Sequence, residues 1–490
     1  MTKKVSLARR LSTFDVTNLV VGSIIGADIY VAAALGARLV GPASLVLWII
    51  AGVIAIVIAL SFSYCVTILP KVGGPYVYTK EAVGPFAGFI VGWALLLAEW
   101  FSLAVFPVAF TQYFLSFFPN LDQFSQILLK GIFISIIFVT NAYGVRSAGK
   151  FNDILTVGKL APLLLLMASG LLFMGLHPGL VSSNFQPFAK GDLQDAGQAL
   201  VLIFWAYAGF ELSTLPADEI QNPRRTIPRA IAVGMLIVTS FYLITNFVII
   251  GVVDEATLAT SPAPLTVAAA NIFGLSPGLS QIGSLVVGIG ALVSIMGADE
   301  SGTIGTSRLA FAMSLDGLLP RLFSKLHRSY HTPYIGLALI CSTAFVASVF
   351  GTLSTLINSS VLLLSFAYLL TCVSAILLER KHQRHYGGSK RGFLIPSLGI
   401  VFSFLLMTQV GKHQILTSSV LLAIGVPLYI FFSPKSELHE MKEAFLARDA
   451  ILQRAYEQGE RFLAHGLHHA RLMIQRARHD ERAWSADTSL

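Results

Sequence analysis

Charged residues are scarce in this chain: 12% of its 490 residues, about half the share of a soluble domain, against 55% hydrophobic residues and a mean hydropathy of +0.72. That balance leaves too little polar surface to clothe a soluble fold and excludes one. Cysteine is scarcer still. Cys65, Cys341 and Cys372 stand far apart, in or beside apolar stretches and without metal-ligand or redox spacing, which excludes a disulfide framework or a zinc site and leaves core filling. No nucleophile stands with an aligned base, so an intramembrane enzyme is not expected, and no cofactor or metal is predicted.

What the chain has is long apolar runs. At about 20 residues per membrane span, they number twelve, near 14–38, 43–66, 84–115, 126–143, 153–176, 195–220, 229–252, 281–314, 334–352, 358–378, 393–411 and 415–433. The first lacks the short apolar core and small-residue cleavage site of a signal peptide, so it is expected to be retained. The chain therefore reads as an all-α polytopic membrane protein.

Basic residues follow every even-numbered run: Lys71 and Lys80, Arg146 and Lys150, Arg224 and Arg225, Arg321 and Lys325, Arg380 and Lys381. With Lys3, Lys4, Arg9 and Arg10 before the first run, they predict both termini on the cytoplasmic side of the cell membrane. The net charge of +8 then belongs to a lipid-facing cytoplasmic surface, not to a nucleic-acid site.

One stretch inside the first run does not read as plain helix: Gly22, Ser23, Ile24, Ile25, Gly26, Ala27, Asp28, Ile29, Tyr30. Two glycines and a serine weaken helix, and an aspartate follows at once. Non-helical backbone inside lipid survives only where protein or trapped water satisfies it, so a break here is expected to line a cavity and offer its loose amides and carbonyls to something polar. A glycine pair packed against a neighbouring helix is the alternative. The other polar interruption of an apolar run, Gly209 to Glu211, falls in the sixth run, five after the first.

Four stretches resemble motifs of the amino acid, polyamine and organocation (APC) transporter superfamily. They are the glycine-rich segment at 22–30; Pro70, Gly73, Gly74, Pro75, Tyr76 and Tyr78 between the second and third runs; Phe204, Ala206, Tyr207, Gly209, Phe210 and Glu211 in the sixth; and Ser307, Arg308, Ala312, Met313, Asp316, Gly317 and Pro320, followed by Thr332 and Pro333, after the eighth. The resemblance spans residues 14 to 334. It implies an amino acid permease with a leucine-transporter-type 5+5 inverted repeat of twelve spans, the first and sixth broken in mid-membrane. The repeats would cover 14–192 and 193–380, two further spans 381–433, and cytoplasmic ends 1–13 and 434–490. The proline- and glycine-bounded piece at 70–85 suits an amphipathic segment lying at the interface as a cytoplasmic gate.

By the same resemblance, Ser23, Ile25, Gly26 and Ala27 would hold a substrate carboxylate, and Phe204, Ala206, Tyr207 and Gly209 would complete the site around its amine. Asp28 departs from the family pattern, which usually has a small residue there. A carboxylate at that position repels a substrate carboxylate unless one of the two is protonated, and it attracts amines or polyamines. Pairing of Asp28 with Lys159 or a hydroxyl of the eighth run, away from the site, is the other reading.

Ionisable residues inside spans point to ion coupling. Lys159 resembles the lysine that replaces bound sodium in proton-coupled members, with a permanent ion pair as the alternative. Glu99 stands where cationic amino acid members carry a glutamate. Glu211 closes the sixth-run motif. Asp299 shares a helical face with Thr303 and Thr306, whereas Glu300, about 100° around the helix, is expected to pair elsewhere. Sodium stays open as the coupling ion. Tyr30, Tyr207 and Phe210 are candidate gates, with Asn246, Ser365 and Tyr368 weaker site candidates.

The histidine-rich segment 434–490 has amphipathic spacing and is read as a lipid- or solvent-facing cytoplasmic tail, because His465, His468 and His469 lack a tetrahedral set. The expectation is a secondary active transporter for amino acids or related amine-bearing organic cations, by proton symport or by exchange without net proton flux. A channel or transporter-like sensor is the rival class. Substrate identity and oligomeric state are not legible.

Overall fold

The computed structural model describes residues 12–69, 73–143, 145–211, 220–274, 277–330, 332–386 and 393–434. Ser12 opens the first helix with a capping box: its hydroxyl accepts the Asp15 amide at 3.4 Å while the Asp15 carboxylate accepts the Ser12 amide at 2.8 Å. That helix, α1 (Thr13–Ile24), stops two residues before α2 (Ala27–Val40) begins. Then follow α3 (Ser44–Ile68), the short α4 (Pro75–Ala82), α5 (Pro85–Leu115), α6 (Gln123–Ala142), α7 (Val145–Leu176) and the short α8 (Pro178–Asn184). A second capping box, between Asp192 and Asp195, starts α9 (Leu193–Trp205). After it come α10 (Pro223–Val252), α11 (Glu255–Thr260), α12 (Pro264–Ile272), α13 (Pro277–Leu315), α14 (Tyr334–Phe350), α15 (Leu353–Tyr386), α16 (Leu394–Thr408) and α17 (Lys412–Phe432).

Helix occupies part of every apolar run, and among the described residues seven helical segments are long and apolar enough to cross a membrane. No β-strand forms among the described residues. Burial is arranged as lipid demands. Leu172, Leu416, Phe404 and Phe431 lie more than half exposed on the outside, while Ser61, Thr245, Ser294 and Ser360 are wholly buried. The three cysteines are buried and unpaired.

Helix packing falls into two sets, joined to each other through α15 on α3 and α7 on α10. In one, α1 lies on α10, α10 on α3, α2 on α9 and α9 on α3. In the other, α5 is gripped by α13, α14 and α15, with α6 against α14 and α7 against α13. The helices α11 and α12 have no counterpart in the twelve runs, because they are short; Asp254 caps the first by accepting the Thr257 amide at 2.9 Å, and Pro264 starts the second.

The segment after the second run has one face turned into the protein, while Glu81 and Val83 stay exposed. In α4 the side chains of Tyr76, Tyr78 and Thr79 are buried against α5 and α15. Ser374 of α15 donates to Thr79 at 3.1 Å, and the Tyr76 hydroxyl donates to Asp316 at 2.6 Å. A tyrosine pair on an eight-residue helix has enough apolar area to bury once hydroxyl partners are at hand.

Residues 1–11, 70–72, 212–219 and 435–490 lie outside the described residues, so the N-terminal leader, the later part of the sixth run and the histidine-rich tail do too.

Candidate substrate site

The interruption of the first run is narrower than the glycine content predicts. Gly22 is helical, and the Ile25 amide still bonds to the Val21 carbonyl at 2.8 Å, so α1 holds its ladder through Ile24. Only Ile25 and Gly26 leave helical geometry, with Ile25 extended at ψ 97° and Gly26 at φ −146°, ψ −138°. Gly26 is needed for contact: a Cβ there would stand 2.9 Å from the Cβ of Ala298 on α13. At Gly22 a Cβ would meet nothing within 4 Å.

In the sixth run α9 tightens before it ends. The amides of Ala206, Tyr207 and Ala208 bond three residues back, to Ile203, Phe204 and Trp205, at 3.0, 2.9 and 3.1 Å. Gly209 then takes φ +114°, a conformation that side chains other than hydrogen resist, and its amide donates to the Glu211 carboxylate at 3.0 Å.

One side chain ties the two places together. The Tyr242 hydroxyl, buried on α10, lies 2.7 Å from the Ile24 carbonyl oxygen and 2.9 Å from that of Ala206. Both carbonyls have lost helical partners, so the tyrosine supplies donor capacity that lipid cannot. Around it, Trp48 and Tyr207 pack with ring centroids 5.1 and 5.3 Å from Tyr242, and the Tyr207 hydroxyl donates to the Trp48 carbonyl at 2.8 Å. A second cluster joins Phe210 to Phe62 and Tyr368, at 5.5 and 5.3 Å. Tyr30 is buried, and its carbonyl accepts the Tyr113 hydroxyl at 2.7 Å.

Three acids converge here from separate elements. Glu211 and Asp28, the latter in the first turn of α2, are electrostatic neighbours of Glu99 on α5, and Asp28 is one of Tyr242 as well. The Asp28 carboxylate bends back toward the start of its own helix, 3.8 Å from where a Cβ on Gly26 would stand. Asp28 and Glu211 are buried, while Glu99 keeps accessible surface in the middle of the bundle.

Of the other sequence candidates, Ile25, Phe204 and Ala206 are buried at the two breaks. Asp299 and Glu300 form a separate acidic pair on α13. Thr303 donates to Asp299 at 3.3 Å, and Thr140 of α6 donates to Glu300 at 2.7 Å. Asn246 donates to the Tyr242 carbonyl, at 2.8 Å. The side chains of Ser23, Ala27 and Lys159 lie outside the described residues. Tyr242 and Trp48 escaped the sequence reading; the signal available was a tyrosine deep in an apolar run, whose hydroxyl demands a partner.

Among the described residues no group of His, Cys, Asp and Glu side chains is disposed to hold a metal ion. A groove of about 750 Å³ between α7, α8 and α10, lined by Leu171, Met174, Phe185 and Phe247, stands apart from the breaks and has no titratable group on its walls.

The two breaks thus gather buried carbonyls, a ring of aromatics and acidic side chains inside the bundle. The branched-chain amino acid permease BcaP of Bacillus subtilis (strain 168) is 28% identical over 463 residues, spanning 88% of this chain and 94% of its own. The methylthioribose transporter of the same strain is 26% identical over 460 residues, 89% of this chain and 96% of its own. Its serine/threonine exchanger SteT is 26% identical over 446 residues, 86% and 96%. The profile described as amino acid permease matches residues 11–432, nearly the whole of the helical body, and the chain therefore belongs to the amino acid permease family of the APC superfamily, as a multi-pass membrane transporter and not an enzyme.

Proposed function

We propose that this protein moves amino acids or related amine-bearing organic cations across the plasma membrane by alternating access, coupled to protons. The observation that carries the reading is the interruption at Ile25 and Gly26, joined through the Tyr242 hydroxyl to the carbonyl of Ala206. Two loosened helix ends meeting inside a bundle are what a solute needs in order to exchange its water for backbone partners.

The fold is read as twelve spans in a leucine-transporter-type 5+5 inverted repeat, with both termini cytoplasmic. The division of packing between the α1, α2, α3, α9, α10 group and the α5, α6, α13, α14 group supports a bundle rocking against a scaffold. Ser23, Ile25, Gly26 and Ala27 on one side and Phe204, Ala206, Tyr207 and Gly209 on the other hold the substrate. Tyr30, Tyr207 and Phe210 gate it. Lys159, placed on α7 one helical turn before Pro162, which packs on Gly290 of α13, carries the coupling proton with Asp299. An inside-negative potential favours entry of a cation by about 2.3 kcal/mol per charge per 100 mV. Exchange is the second reading, supported by the exchanger among the relatives.

Uptake of a radiolabelled panel by proteoliposomes, amino acids beside their decarboxylated amines, with and without an imposed pH gradient, is the test. Saturable uptake accelerated by an inward proton gradient is expected. Flux that does not saturate would make the protein a channel, binding without flux a sensor, and uptake driven only by internal substrate an exchanger.

A further inference from the structure

The chain between α8 and α9 lies across the turn from α2 to α3: the Ala43 amide donates to the Phe188 carbonyl at 2.7 Å, and the Lys190 amide to that of Val40 at 3.4 Å. Helix α3 carries the chain from this turn to α4, so the two places stand at opposite ends of the bundle. Glycines at positive φ, Gly41 at 65° and Gly191 at 73°, allow the close approach. A Cβ on Gly191 would stand 2.8 Å from the Leu39 carbonyl oxygen, and one on Gly41 3.7 Å from the Lys190 Cγ. The Lys190 stem thus runs over the end of α2, and its ammonium forms an ion pair with Glu255, the first residue of α11.

The acids next in sequence are engaged elsewhere: Asp192 and Asp195 in the capping box of α9, and Asp254 on the Thr257 amide of α11. Helix α11 lies on α2, and the chain then enters α12, which packs on α13 and α7. One member of the pair is therefore fixed to the set that holds α2 and α9, and the other leads into the set that holds α13. The two side chains are 29% and 33% exposed, so water and salt reach them and the attraction is modest. A tie between the two sets that is ionic, half-exposed and weak is suited to break and re-form.

We infer that Lys190 and Glu255 form a latch that keeps this end of the bundle shut, and that the latch must release before solute passes there. This rests on reading the protein as an alternating-access transporter, in which one end closes while the other opens. The tie at the opposite end, from Tyr76 to Asp316, is a hydrogen bond from a neutral hydroxyl. Rising salt therefore loosens the Lys190 end more, because screening acts on both charges of an exposed ion pair.

Ala33, buried on α2 two turns before Val40, is replaced by cysteine to report opening, since the three native cysteines are buried. In the purified full-length protein, labelling of Ala33→Cys by a maleimide is expected to quicken about two- to fivefold when Lys190→Glu or Glu255→Lys is added, and to return to its starting rate when both are added together. Without either change it should quicken as sodium chloride rises from about 50 to about 500 mM, and with Lys190→Gln it should not respond to salt. Single reversals that label at the starting rate overturn the latch, as does a double exchange that leaves the rate raised. Where a reversal fails to fold, seen in its melting curve, Lys190→Gln and Glu255→Gln carry the comparison, and labelling equal to the starting rate in both overturns the latch likewise. The labelling needs no substrate. Labelling as expected with no uptake of the radiolabelled panel removes the transport reading and leaves the ion pair as a closure, whereas uptake with unaltered labelling removes the latch and leaves transport standing.

Discussion

The hydroxyl of Tyr242 lies 2.7 Å from the carbonyl oxygen of Ile24, the last residue of the first helix, and 2.9 Å from that of Ala206, just past the end of α9. A hydroxyl has one proton for the two acceptors, so it serves them together or in turn, and either carbonyl is readily yielded to a substrate donor. Tyr242→Phe removes that donor from two buried carbonyls. A loss of roughly 1–3 kcal/mol in stability is expected, read as a lower melting temperature in detergent, together with weaker substrate binding. Melting and binding equal to the parent would detach Tyr242 from the site.

The two glycines of the first run should respond oppositely. Gly26→Ala drives a Cβ to 2.9 Å from Ala298 and should part α2 from α13, with a cost of roughly 1–3 kcal/mol and loss of uptake. Gly22→Ala meets nothing within 4 Å on a helical residue and should leave stability equal or up to about 1 kcal/mol better. Paired melting curves decide, and equal effects of the two substitutions would contradict the placement of the break.

Asp28→Gly is expected to shift preference from amines toward carboxylate-bearing substrates by about tenfold or more. Like charges 4 Å apart repel by roughly 4 kcal/mol at the effective dielectric of a protein surface, so even a fraction of that is visible. Competition of leucine against n-butylamine for uptake gives the ratio. A variant that keeps the parent's ranking places Asp28 outside the pocket.

Lys159→Ala should abolish the acceleration of uptake by an inward proton gradient while substrate binding stays measurable. Proteoliposomes with and without the gradient supply the comparison, and undiminished acceleration takes Lys159 out of the coupling.

Tyr76 and Asp316 form the third contact open to test, at 2.6 Å between α4 and the residue following α13. Tyr76→Phe should ease opening at that end of the bundle, here read as cytoplasmic, and speed efflux from loaded vesicles by about two- to tenfold, the effect of one hydrogen bond worth 0.5–1.5 kcal/mol. Because the three native cysteines are buried, a single cysteine introduced beside Asp316 reports the opening by its labelling rate. Unchanged efflux and labelling would leave the bond a packing detail.

Composition and periodicity alone determined that this chain is helical and belongs in a membrane, since the transfer of apolar side chains is additive along a sequence and needs no partner to be counted. The location of a weak point near Gly26 was legible for a similar reason: the helix cost of glycine is local. Its extent was not. Gly22 to Asp28 reads as one loose stretch, yet the ladder persists to Ile24, because neighbouring helices supply packing that outweighs propensity. Only the tertiary structure decided which groups meet. Tyr242 and the two carbonyls it serves lie in different runs, and no spacing along the chain encodes a distance between helices. The burial of α4 was hidden likewise, for whether a tyrosine faces water or protein depends on Asp316 and α15 arriving beside it from far along the chain.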